Sequence, residues 1–429
     1  MNFKLNIWYL PPIIVGLFVL YFIGGLLYFN ATPKDLLVTE PITVEASVED
    51  DEFIRESGLL LGTQWIDGNE IEILDDGELI FERMLSAIRN AEQTITKETY
   101  NYWGDEIGTA FAEELANAAR RGVEVYFLMD FVGSRKATRS QLNLMEEAGV
   151  HLIRWRQPSW FQLSRFNHRT HRKLMVIDGK TAFTGGVNTA DDWLINEGEE
   201  RFRDYHYKIT GPVVNEIQKA FSENWVAASG RLITNNQFFP EIEPVGDYLM
   251  QVTSSHPREG QMMMRKMYLY AIASAQKNIR LNSAYFFPDQ PFLEELAEAA
   301  NRGVKVQMIV PGENIDQAYF RYASKNRWGK LLEAGVEIYE YQPSMYHAKL
   351  LIVDDKFVSV GSANIDNRSF RINDETNVNI LNREFAEKRI QYFEEDLQNS
   401  ELYTLEKLDD RSNWQKFAGW AAQVLGPHL

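Results

Sequence analysis

His171-Arg172-Lys173-Leu174-Met175-Val176-Ile177-Asp178, followed by Gly185-Gly186-Val187-Asn188, is a stretch that the chain contains twice. The second copy runs His347-Ala348-Lys349-Leu350-Leu351-Ile352-Val353-Asp354 and leads to Gly361-Ser362-Ala363-Asn364. The offset between the copies is identical at the histidine, the lysine, the aspartate, the first glycine and the asparagine. A constant offset over so many polar and glycine positions predicts that the body of the protein is a tandem duplication.

Elements outside the motif are repeated in the same order. Arg121-Gly122-Val123 closes a helical pattern and precedes an apolar strand, and Arg302-Gly303-Val304 does the same in the second copy. Glycine just past a helix, then β-branched residues, is typical of helices alternating with buried strands. The sequence therefore predicts an α/β fold in each half, with domains at 58–238 and 239–400 related by a pseudo-twofold axis.

Composition limits the classes of function. The chain has 429 residues, of which 45% are hydrophobic and 24% charged, which is typical of a globular protein. Its net charge of -17 argues against a surface that coats nucleic acid and against simple attraction to anionic lipid. An anionic ligand would need a locally basic site. Because there is no cysteine, thiol chemistry and cysteine metal clusters are excluded.

The N-terminal segment is strongly apolar. Residues Ile7 to Phe29 carry no charged side chain, and a helix of that length would rise about 34 Å, enough for a hydrocarbon core of roughly 30 Å. The sequence thus predicts an uncleaved transmembrane anchor over residues 1–30. Lys4 before the span and Lys34 after it give a weak lean towards a catalytic body outside the cytoplasm.

The segments on either side of the body are predicted to be an acidic linker and an amphipathic helix. Residues 31–57 are rich in carboxylates and show no helical apolar stripe, so we expect a solvated spacer. Residues 401–429 contain apolar side chains at three- and four-residue spacing, namely Trp414, Phe417, Ala421 and Val424. Such a helix either packs onto the core or docks at a bilayer interface, and both interpretations stay open.

The duplicated motif supplies the side chains for chemistry at phosphorus. In an extended strand residues two apart share a face, so His171 faces with Lys173, and His347 with Lys349. If the halves meet, one neutral imidazole can attack phosphorus while the other protonates the leaving alkoxide. Lysine and asparagine donors would then stabilise the charge on the equatorial oxygens, and no metal or other cofactor is required.

Other roles compete for some of these residues. Asp178 and Asp354 end their strands, so each could be catalytic or could close a turn by accepting backbone hydrogen bonds. His168, three residues before His171, leaves a metal site as a rival explanation. The remaining histidines are interpreted as packed or surface residues.

A basic stretch lies beside the first motif in this acidic chain. Between His151 and Ile177 there is no acidic residue. The cationic residues of the stretch are Arg154, Arg156, Arg165, Arg169, Arg172 and Lys173, and the aromatic ones include Trp155, Trp160, Phe161 and Phe166. This combination suits a lipid headgroup at an interface and would also suit single-stranded nucleic acid. The apolar N-terminal segment favours lipid.

Both complete copies of His-x-Lys-x4-Asp-x6-Gly-x2-Asn resemble those of the phospholipase D superfamily, over roughly Gly58 to Ser400. The resemblance implies two tandem α-β-α sandwich domains. The apolar N terminus, the Asn364-x-Asp366-x-Arg368-Ser369 pattern and the terminal helix look like the bacterial cardiolipin synthases. That likeness implies joining of two phosphatidylglycerols with release of glycerol, through a phosphatidyl-histidine intermediate, at the bacterial inner membrane.

The resemblance also implies roles for particular residues. His171 would be the nucleophile and His347 the general acid/base, each oriented by a downstream carboxylate, Asp204 or Glu375. The phosphate-binding residues would be Lys173, Lys349, Asn188, Asn364, Gly185, Gly361 and Ser362, with Arg169 and Arg172 nearby. Gly186 stands where the family usually has serine, so one hydroxyl contact to phosphate would be missing in the first half.

Three other functions are weighed against this one. A phospholipase D would hydrolyse the lipid to phosphatidate, since water and a glycerol hydroxyl differ as acceptors only in pocket shape and access. A metal-independent nuclease of the same superfamily is disfavoured by the acidic charge and the apolar N terminus, so no nucleic-acid partner is expected. A non-catalytic membrane scaffold would not need paired histidines and lysines. The sequence leaves the oligomeric state open.

Overall fold

The computed structural model describes residues 10–31, 42–159, 167–194, 201–257 and 262–424. Its helices are α1 (Leu10–Ala31), α2 (Asp51–Leu61), α3 (Gly77–Arg89), α4 (Glu106–Arg120), α5 (Arg139–Ala148), α6 (Val214–Ser229), α7 (Met263–Ala273), α8 (Gln290–Asn301), α9 (Ala318–Lys325), α10 (Gly329–Glu333), α11 (Asn367–Arg371), α12 (Arg383–Gln398), α13 (Leu405–Asp409) and α14 (Asn413–Val424). The strands of the first half are β1 (Ile66–Leu74), β2 (Thr94–Thr99), β3 (Glu124–Asp130), β4 (His151–Trp155), β5 (Arg169–Thr170), β6 (Leu174–Ile177), β7 (Thr181–Gly185) and β8 (His206–Thr210). Those of the second half are β9 (Tyr248–Ser255), β10 (Asn278–Asn282), β11 (Phe286–Phe287), β12 (Lys305–Pro311), β13 (Glu337–Tyr341), β14 (Leu350–Val353), β15 (Phe357–Gly361), β16 (Ile365–Asp366), β17 (Asn373–Leu381) and β18 (Ser400–Tyr403).

One continuous mixed sheet carries both halves. Its strand order is β18-β13-β12-β10-β14-β15-β17-β9-β1-β8-β7-β6-β2-β3-β4. The order on one side of the β9–β1 pair repeats on the other, except that β18 adds an antiparallel strand beside β13 at one edge. In each half three strands pair in parallel (β10, β12 and β13, or β2, β3 and β4), and the strands nearer the β9–β1 pair are antiparallel. The predicted α/β fold and the tandem duplication are therefore confirmed, with the pseudo-twofold axis at the β9–β1 pair.

Helices cover both faces of the sheet. An outer apolar cluster in the first half packs α3, α4 and α5 onto the strands, and one in the second half does the same with α2, α7, α8 and α10. A third cluster is shared by the halves: it joins Ile209 and Phe221 from the first to Val360 and Phe393 from the second. Burial of apolar surface drives this packing, so the shared cluster fixes how the two copies of the motif face each other.

The N-terminal segment forms helix α1, in which most of the described apolar side chains, including Ile14 and Leu20, are exposed. Among the described residues we find no helix that is both long and apolar enough for a membrane span. The predicted transmembrane anchor, and the single-span localisation that rested on it, are therefore not supported.

The predicted solvated spacer at 31–57 is wrong for its described C-terminal part. Helix α2 buries Phe53, whose ring centroid lies 5.2 Å from that of Tyr270 and 5.5 Å from that of Phe357. Val48 is also in the core of the second half. Among the acidic residues of α2, Phe53, Ser57 and Leu61 are buried at helical spacing. This segment therefore packs onto the core of the second half. Residues 32–41 lie outside the described residues.

Candidate active site

A cavity of about 590 Å³ lies between the two halves, and His171 and His347 both line it. Asn188 and Asn364 contribute to the same walls, so both copies of the motif meet at one site. A larger cavity of about 1100 Å³ lies elsewhere, beside Arg156, Glu223 and His256. Neither motif histidine lines this larger cavity, so the chemistry expected of the motif belongs to the smaller one.

His171 is held by a carboxylate of the other half. Its Nδ1 lies 2.9 and 3.0 Å from the two carboxylate oxygens of Glu375. Glu375 is fully buried and also accepts hydrogen bonds from the hydroxyls of Ser362 at 2.6 Å and Ser369 at 2.8 Å. A carboxylate at Nδ1 fixes both the ring and its tautomer, so Nε2 keeps its lone pair.

His347 is held in the reciprocal way. Its Nδ1 lies 2.6 Å from Oδ2 of Asp204, which belongs to the first half. Asp204 also accepts a hydrogen bond from the indole of Trp193 at 3.3 Å, and the Trp193 ring packs edge-on to His347. The expectation that each histidine would be oriented by the carboxylate downstream in its own copy is thus wrong. The partners are exchanged between the halves.

Backbone pairing between the halves explains this exchange. Strand β5 pairs in parallel with β17, and the N–H of His171 donates to the carbonyl of Asp374 at 2.9 Å. In the other copy Arg203 bridges Tyr346, and the N–H of His347 donates to the carbonyl of Arg203 at 2.8 Å. Each histidine is therefore bonded directly beside the carboxylate-bearing strand of the opposite half.

The two couples differ in charge. Burial lowers the pKa of His171 well below 6.5, helped by Lys173 and Lys349, and raises the pKa of Glu375 to about 7. Burial and Lys349 lower the pKa of His347 to about 4. Burial would raise the pKa of Asp204, but His347 and Lys349 outweigh it and hold that pKa below its usual range. Asp204 is thus ionised, whereas Glu375 holds its negative charge weakly.

The two motif lysines lie behind the histidines. Lys173 donates to the carbonyl of His171 at 2.8 Å, and the ammonium of Lys349 lies 3.1 Å from Nδ1 of His347. Burial lowers the pKa of Lys173 to about 7 and that of Lys349 to about 8. Neither lysine is among the residues that line the cavity, and the positive charges of both lower the pKa of each histidine ring.

The glycines of the motif are required by close backbone packing. Gly185 and Gly361 have φ of 153° and 157°. A Cβ at Gly185 would lie 2.5 Å from the carbonyl oxygen of Tyr205, and one at Gly361 would lie 2.3 Å from that of Thr376. The predicted contact of these glycines with phosphate is not what fixes them, because what lies against them is the neighbouring strand.

The Gly186/Ser362 difference has a structural cause that the sequence did not reveal. Ser362 is fully buried, and its hydroxyl bonds to Glu375. At the matching position a Cβ on Gly186 would lie 2.2 Å from Oδ1 of Asp204. The residue at this position therefore contacts the carboxylate that holds the histidine: Ser362 bonds to Glu375, and Gly186 leaves room for Asp204. The expected phosphate contact of Ser362, and its loss at Gly186, were misassigned.

The two motif aspartates are structural by placement. Asp178 accepts backbone hydrogen bonds from Gln93 at 2.7 Å and Thr94 at 2.9 Å. Asp354 accepts the equivalent bonds from Lys277 at 2.7 Å and Asn278 at 3.0 Å. Neither lines the cavity. Of the two roles left open, turn closure is the one that this geometry favours.

The arginines of the predicted basic patch do not form one surface, because most of those described bond to different parts of the protein. Arg172 is fully buried and donates to the backbone carbonyls of Ala220, Glu375 and Ser255, so its expected role in substrate binding is wrong. Arg156 pairs with Asp374, and Arg154 bonds to Ser134. Arg165 lies outside the described residues. Among the described arginines of the patch, Arg169 lines the cavity.

The sequence interpretation missed several residues of the cavity wall. Arg368 joins Arg169 there, and Asp192 and Asp316 line it as well. Arg368 lies on α11, whose N-terminal cap is the side chain of Asp366, an acceptor from the N–H of Ser369 at 2.7 Å. An Asp-x-x-Ser cap just after the second motif was the available signal. Among the described residues, no three potential ligands gather as a metal site.

Comparison with known proteins agrees with the geometry. A family described as "Cardiolipin synthase, PLD-like domain" matches residues 84–225 and 268–397. A cardiolipin synthase of Staphylococcus aureus strain Mu50 is 36% identical over 366 residues, which are 84% of this chain and 74% of that protein. The major cardiolipin synthase of Bacillus subtilis is 34% identical over 365 residues, covering 84% and 76%. A phosphatidylserine synthase structure from Haemophilus influenzae, 14% identical, superposes with a TM-score of 0.66 over 88% of this chain and 100% of that one, and so supports the fold alone.

A duplicated α/β fold with two histidines at one interface cavity, each held by a carboxylate of the opposite half, defines an enzyme of the phospholipase D type. Within that class, the chain belongs to the cardiolipin synthase, phospholipase D-like domain family. The resemblance stated from the motifs alone is confirmed.

Proposed function

We propose that this protein makes cardiolipin from two phosphatidylglycerols, releasing glycerol, through a phosphatidyl-histidine intermediate. The observation that carries the proposal is the pair of carboxylate-held imidazoles facing one cavity, because double displacement at phosphorus needs a nucleophile and an acid/base on either side. The matched relatives support the choice of a lipid phosphodiester as the substrate.

In the first displacement, the lone pair on Nε2 of His171 forms a bond to phosphorus as the bond from phosphorus to the glycerol oxygen breaks. Nε2–H of His347 gives its proton to that oxygen, and glycerol leaves. The low pKa of His171 keeps its lone pair available. At His347, the negative phosphodiester and the ionised Asp204 together stabilise the imidazolium, so the proton is carried when substrate is bound.

In the second displacement, the acceptor is a hydroxyl of another phosphatidylglycerol. Nε2 of His347 takes its proton, the oxygen bonds to phosphorus, and the electron pair of the N–P bond returns to His171. Lys173 and Lys349, with the amides of Asn188 and Asn364, stabilise the charge on the equatorial oxygens. The cycle ends with both histidines in their starting protonation states.

The lipid substrate requires the enzyme to work at a membrane surface, and we place the contact on α14. Trp414, Phe417 and Trp420 are 69%, 54% and 59% exposed, and their rings form a contiguous row with centroids 6.0 and 5.8 Å apart. Exposed aromatic side chains on one helix face are typical of bilayer interfaces. The opposite face of α14 buries Ala422 against Phe320, which lines the cavity.

The first experiment incubates the purified full-length protein with phosphatidylglycerol vesicles in EDTA and resolves the products. Cardiolipin and glycerol are expected, whereas phosphatidate and glycerol would instead identify a phospholipase D. His171→Ala and His347→Ala should each lose at least about a thousandfold in rate, while His151→Ala, an exposed histidine on β4, serves as the control. Turnover at the wild-type rate in either active-site variant would refute the mechanism.

A further inference from the structure

Asp396, near the end of α12, is a buried carboxylate that accepts hydrogen bonds from both halves of the protein. It is 2% exposed. Its Oδ1 accepts Nε–H of Arg203 at 2.8 Å, and its Oδ2 accepts the hydroxyls of Tyr205 at 2.7 Å and Tyr346 at 2.8 Å. The first two donors belong to the first half and Tyr346 belongs to the second, so one side chain joins the halves at this point.

The three donors are the chain neighbours of the residues that form the second histidine–carboxylate couple. Arg203 and Tyr205 stand on either side of Asp204. Tyr346 directly precedes His347 and forms a parallel bridge with Arg203. In the couple itself, Nδ1 of His347 lies 2.6 Å from Oδ2 of Asp204. The carboxylate on α12 therefore holds together the two segments whose adjacent residues must meet.

The contacts around this carboxylate are fully formed hydrogen bonds in a buried place. Burial and the charge of Asp396 raise the pKa of Tyr205 and of Tyr346 well above 10, so both hydroxyls keep their protons and donate. The guanidinium of Arg203 also donates to the hydroxyl of Tyr205 at 2.6 Å and to the carbonyl of Asp75 at 3.0 Å. Loss of the carboxylate charge would leave buried donors with a weaker acceptor, and the two segments would be held less firmly.

The segments around His171 are anchored to separate partners. The hydroxyl of Thr170 donates to Glu98. Asp374 accepts two hydrogen bonds from the guanidinium of Arg156, each at 2.8 Å. A change at the α12 carboxylate should therefore act on the proton carrier before it acts on the nucleophile.

We propose that Asp396 is a positioning residue for proton transfer, which holds Asp204 against Nδ1 of His347 through Arg203, Tyr205 and Tyr346. The inference rests on the proposed function, in which His347 protonates the oxygen of the leaving glycerol. Its consequence is selective. A reaction whose leaving group departs without a proton should not depend on Asp396.

Two donor lipids that differ in the leaving group test this inference. Phosphatidylglycerol needs its glycerol oxygen protonated, whereas phosphatidyl-p-nitrophenol releases nitrophenolate, which takes the bonding electron pair without a proton. Asp396→Asn should lower kcat for cardiolipin formation at least about tenfold, a part of the roughly 10²- to 10⁴-fold effect of a general acid. The pre-steady-state burst of nitrophenolate should keep its rate within about twofold, because attack by His171 is unchanged.

A second variant makes a smaller change in the same place. Tyr346→Phe removes one hydroxyl and keeps the ion pair of Asp396 with Arg203. It should show the same selectivity between the two donors, with a smaller loss on phosphatidylglycerol. If Asp396→Asn does not fold, Tyr346→Phe carries the test.

The matched control is Asp289→Asn, which changes an ion pair with the buried Arg265 outside the cavity wall and should leave both rates at the wild-type value. His347→Ala should reproduce the selective loss. If it lost both donors equally, the proposed role of His347 would be wrong, and the inference would fall with it. Equal losses confined to Asp396→Asn and Tyr346→Phe, or no loss in a folded variant, would overturn the inference and leave the proposed function standing.

Discussion

Glu375 and Asp204 hold their histidines in the same way but in different surroundings. Glu375 accepts two serine hydroxyls and its pKa is raised by burial, so His171 faces a weakly charged partner and stays neutral. Asp204 occupies the space above Gly186 and stays ionised, and its charge raises the pKa of His347 against the burial that lowers it. The glycine and the serine at equivalent positions thus favour a nucleophile in one half and a proton carrier in the other.

The first prediction concerns Asp204. Asp204→Asn keeps a group of the same size at Nδ1 of His347 but removes the charge that stabilises the imidazolium. We expect kcat for cardiolipin formation to fall about 10²- to 10⁴-fold, with the midpoint of thermal unfolding changed by no more than about 3 °C. Steady-state kinetics and a melting curve on the same preparation measure both quantities.

Asp178→Asn is the comparison for that variant, since its carboxylate accepts the backbone N–H groups of Glu92, Gln93 and Thr94 at the start of β2. It should destabilise the fold by about 1–3 kcal/mol and leave kcat per folded molecule at the wild-type value. If kcat fell as much in Asp178→Asn as in Asp204→Asn, Asp178 would have a catalytic role and the structural assignment would be wrong.

At the scale of single elements, strands β2 and β10 are equivalent but carry different central residues. Ile95 pairs with Ile177 and Ile279 pairs with Val353, so Lys97 in β2 matches Leu281 in β10. Lys97 is 3% exposed, its ammonium lies 4.5 Å from the ring centroid of Phe111, and burial lowers its pKa to about 7. A charge in this position works against folding.

The second prediction is that Lys97→Met stabilises the protein. Between pH 7 and the ordinary lysine pKa the unfolded chain binds a proton that the native state does not, so the wild type loses stability as the pH falls through this range. Methionine removes that penalty. We expect the free energy of unfolding to rise by about 1–3 kcal/mol at pH 7 and by less at pH 9.5. Denaturant titrations at both pH values measure this, and a lower stability at pH 7 would show that the ammonium has a favourable partner.

The sequence alone was enough to predict the duplication, the α/β class and the two histidines and two asparagines that meet in the cavity, because these depend on local periodicity and a repeated motif. It could also have excluded Arg172, which alternates with His171 and Lys173 and so must face away from them. The sequence could not have predicted that Glu375 holds His171 and that Asp204 holds His347. This exchange depends on pairing of β5 with β17, between segments far apart in the chain.

At the scale of the whole molecule, the cavity and the exposed aromatic row are joined by two packed helices. Helix α14 packs against α9, and Asn326, at the end of α9, donates to the carbonyl of Lys416 at 3.3 Å. Tyr319 and Phe320 of α9 line the cavity. If the aromatic row of α14 inserts into the headgroup region of a bilayer, α9 holds the cavity close to that bilayer. A lipid substrate could then reach the cavity from the membrane surface.

The variant that tests this arrangement replaces Trp414, Phe417 and Trp420 together with alanine. Losing three interfacial aromatics should weaken binding to phosphatidylglycerol vesicles by about tenfold or more, as measured by co-sedimentation, and should lower the cardiolipin rate on vesicles by a similar factor. The rate on a short-chain substrate below its micelle concentration should fall far less, because the cavity is not altered. Leu59→Ala, which removes an apolar side chain that is 79% exposed on α2, is the control and should bind vesicles like the wild type. If the triple variant binds vesicles as tightly as the wild type, the membrane contact lies on another face of the protein.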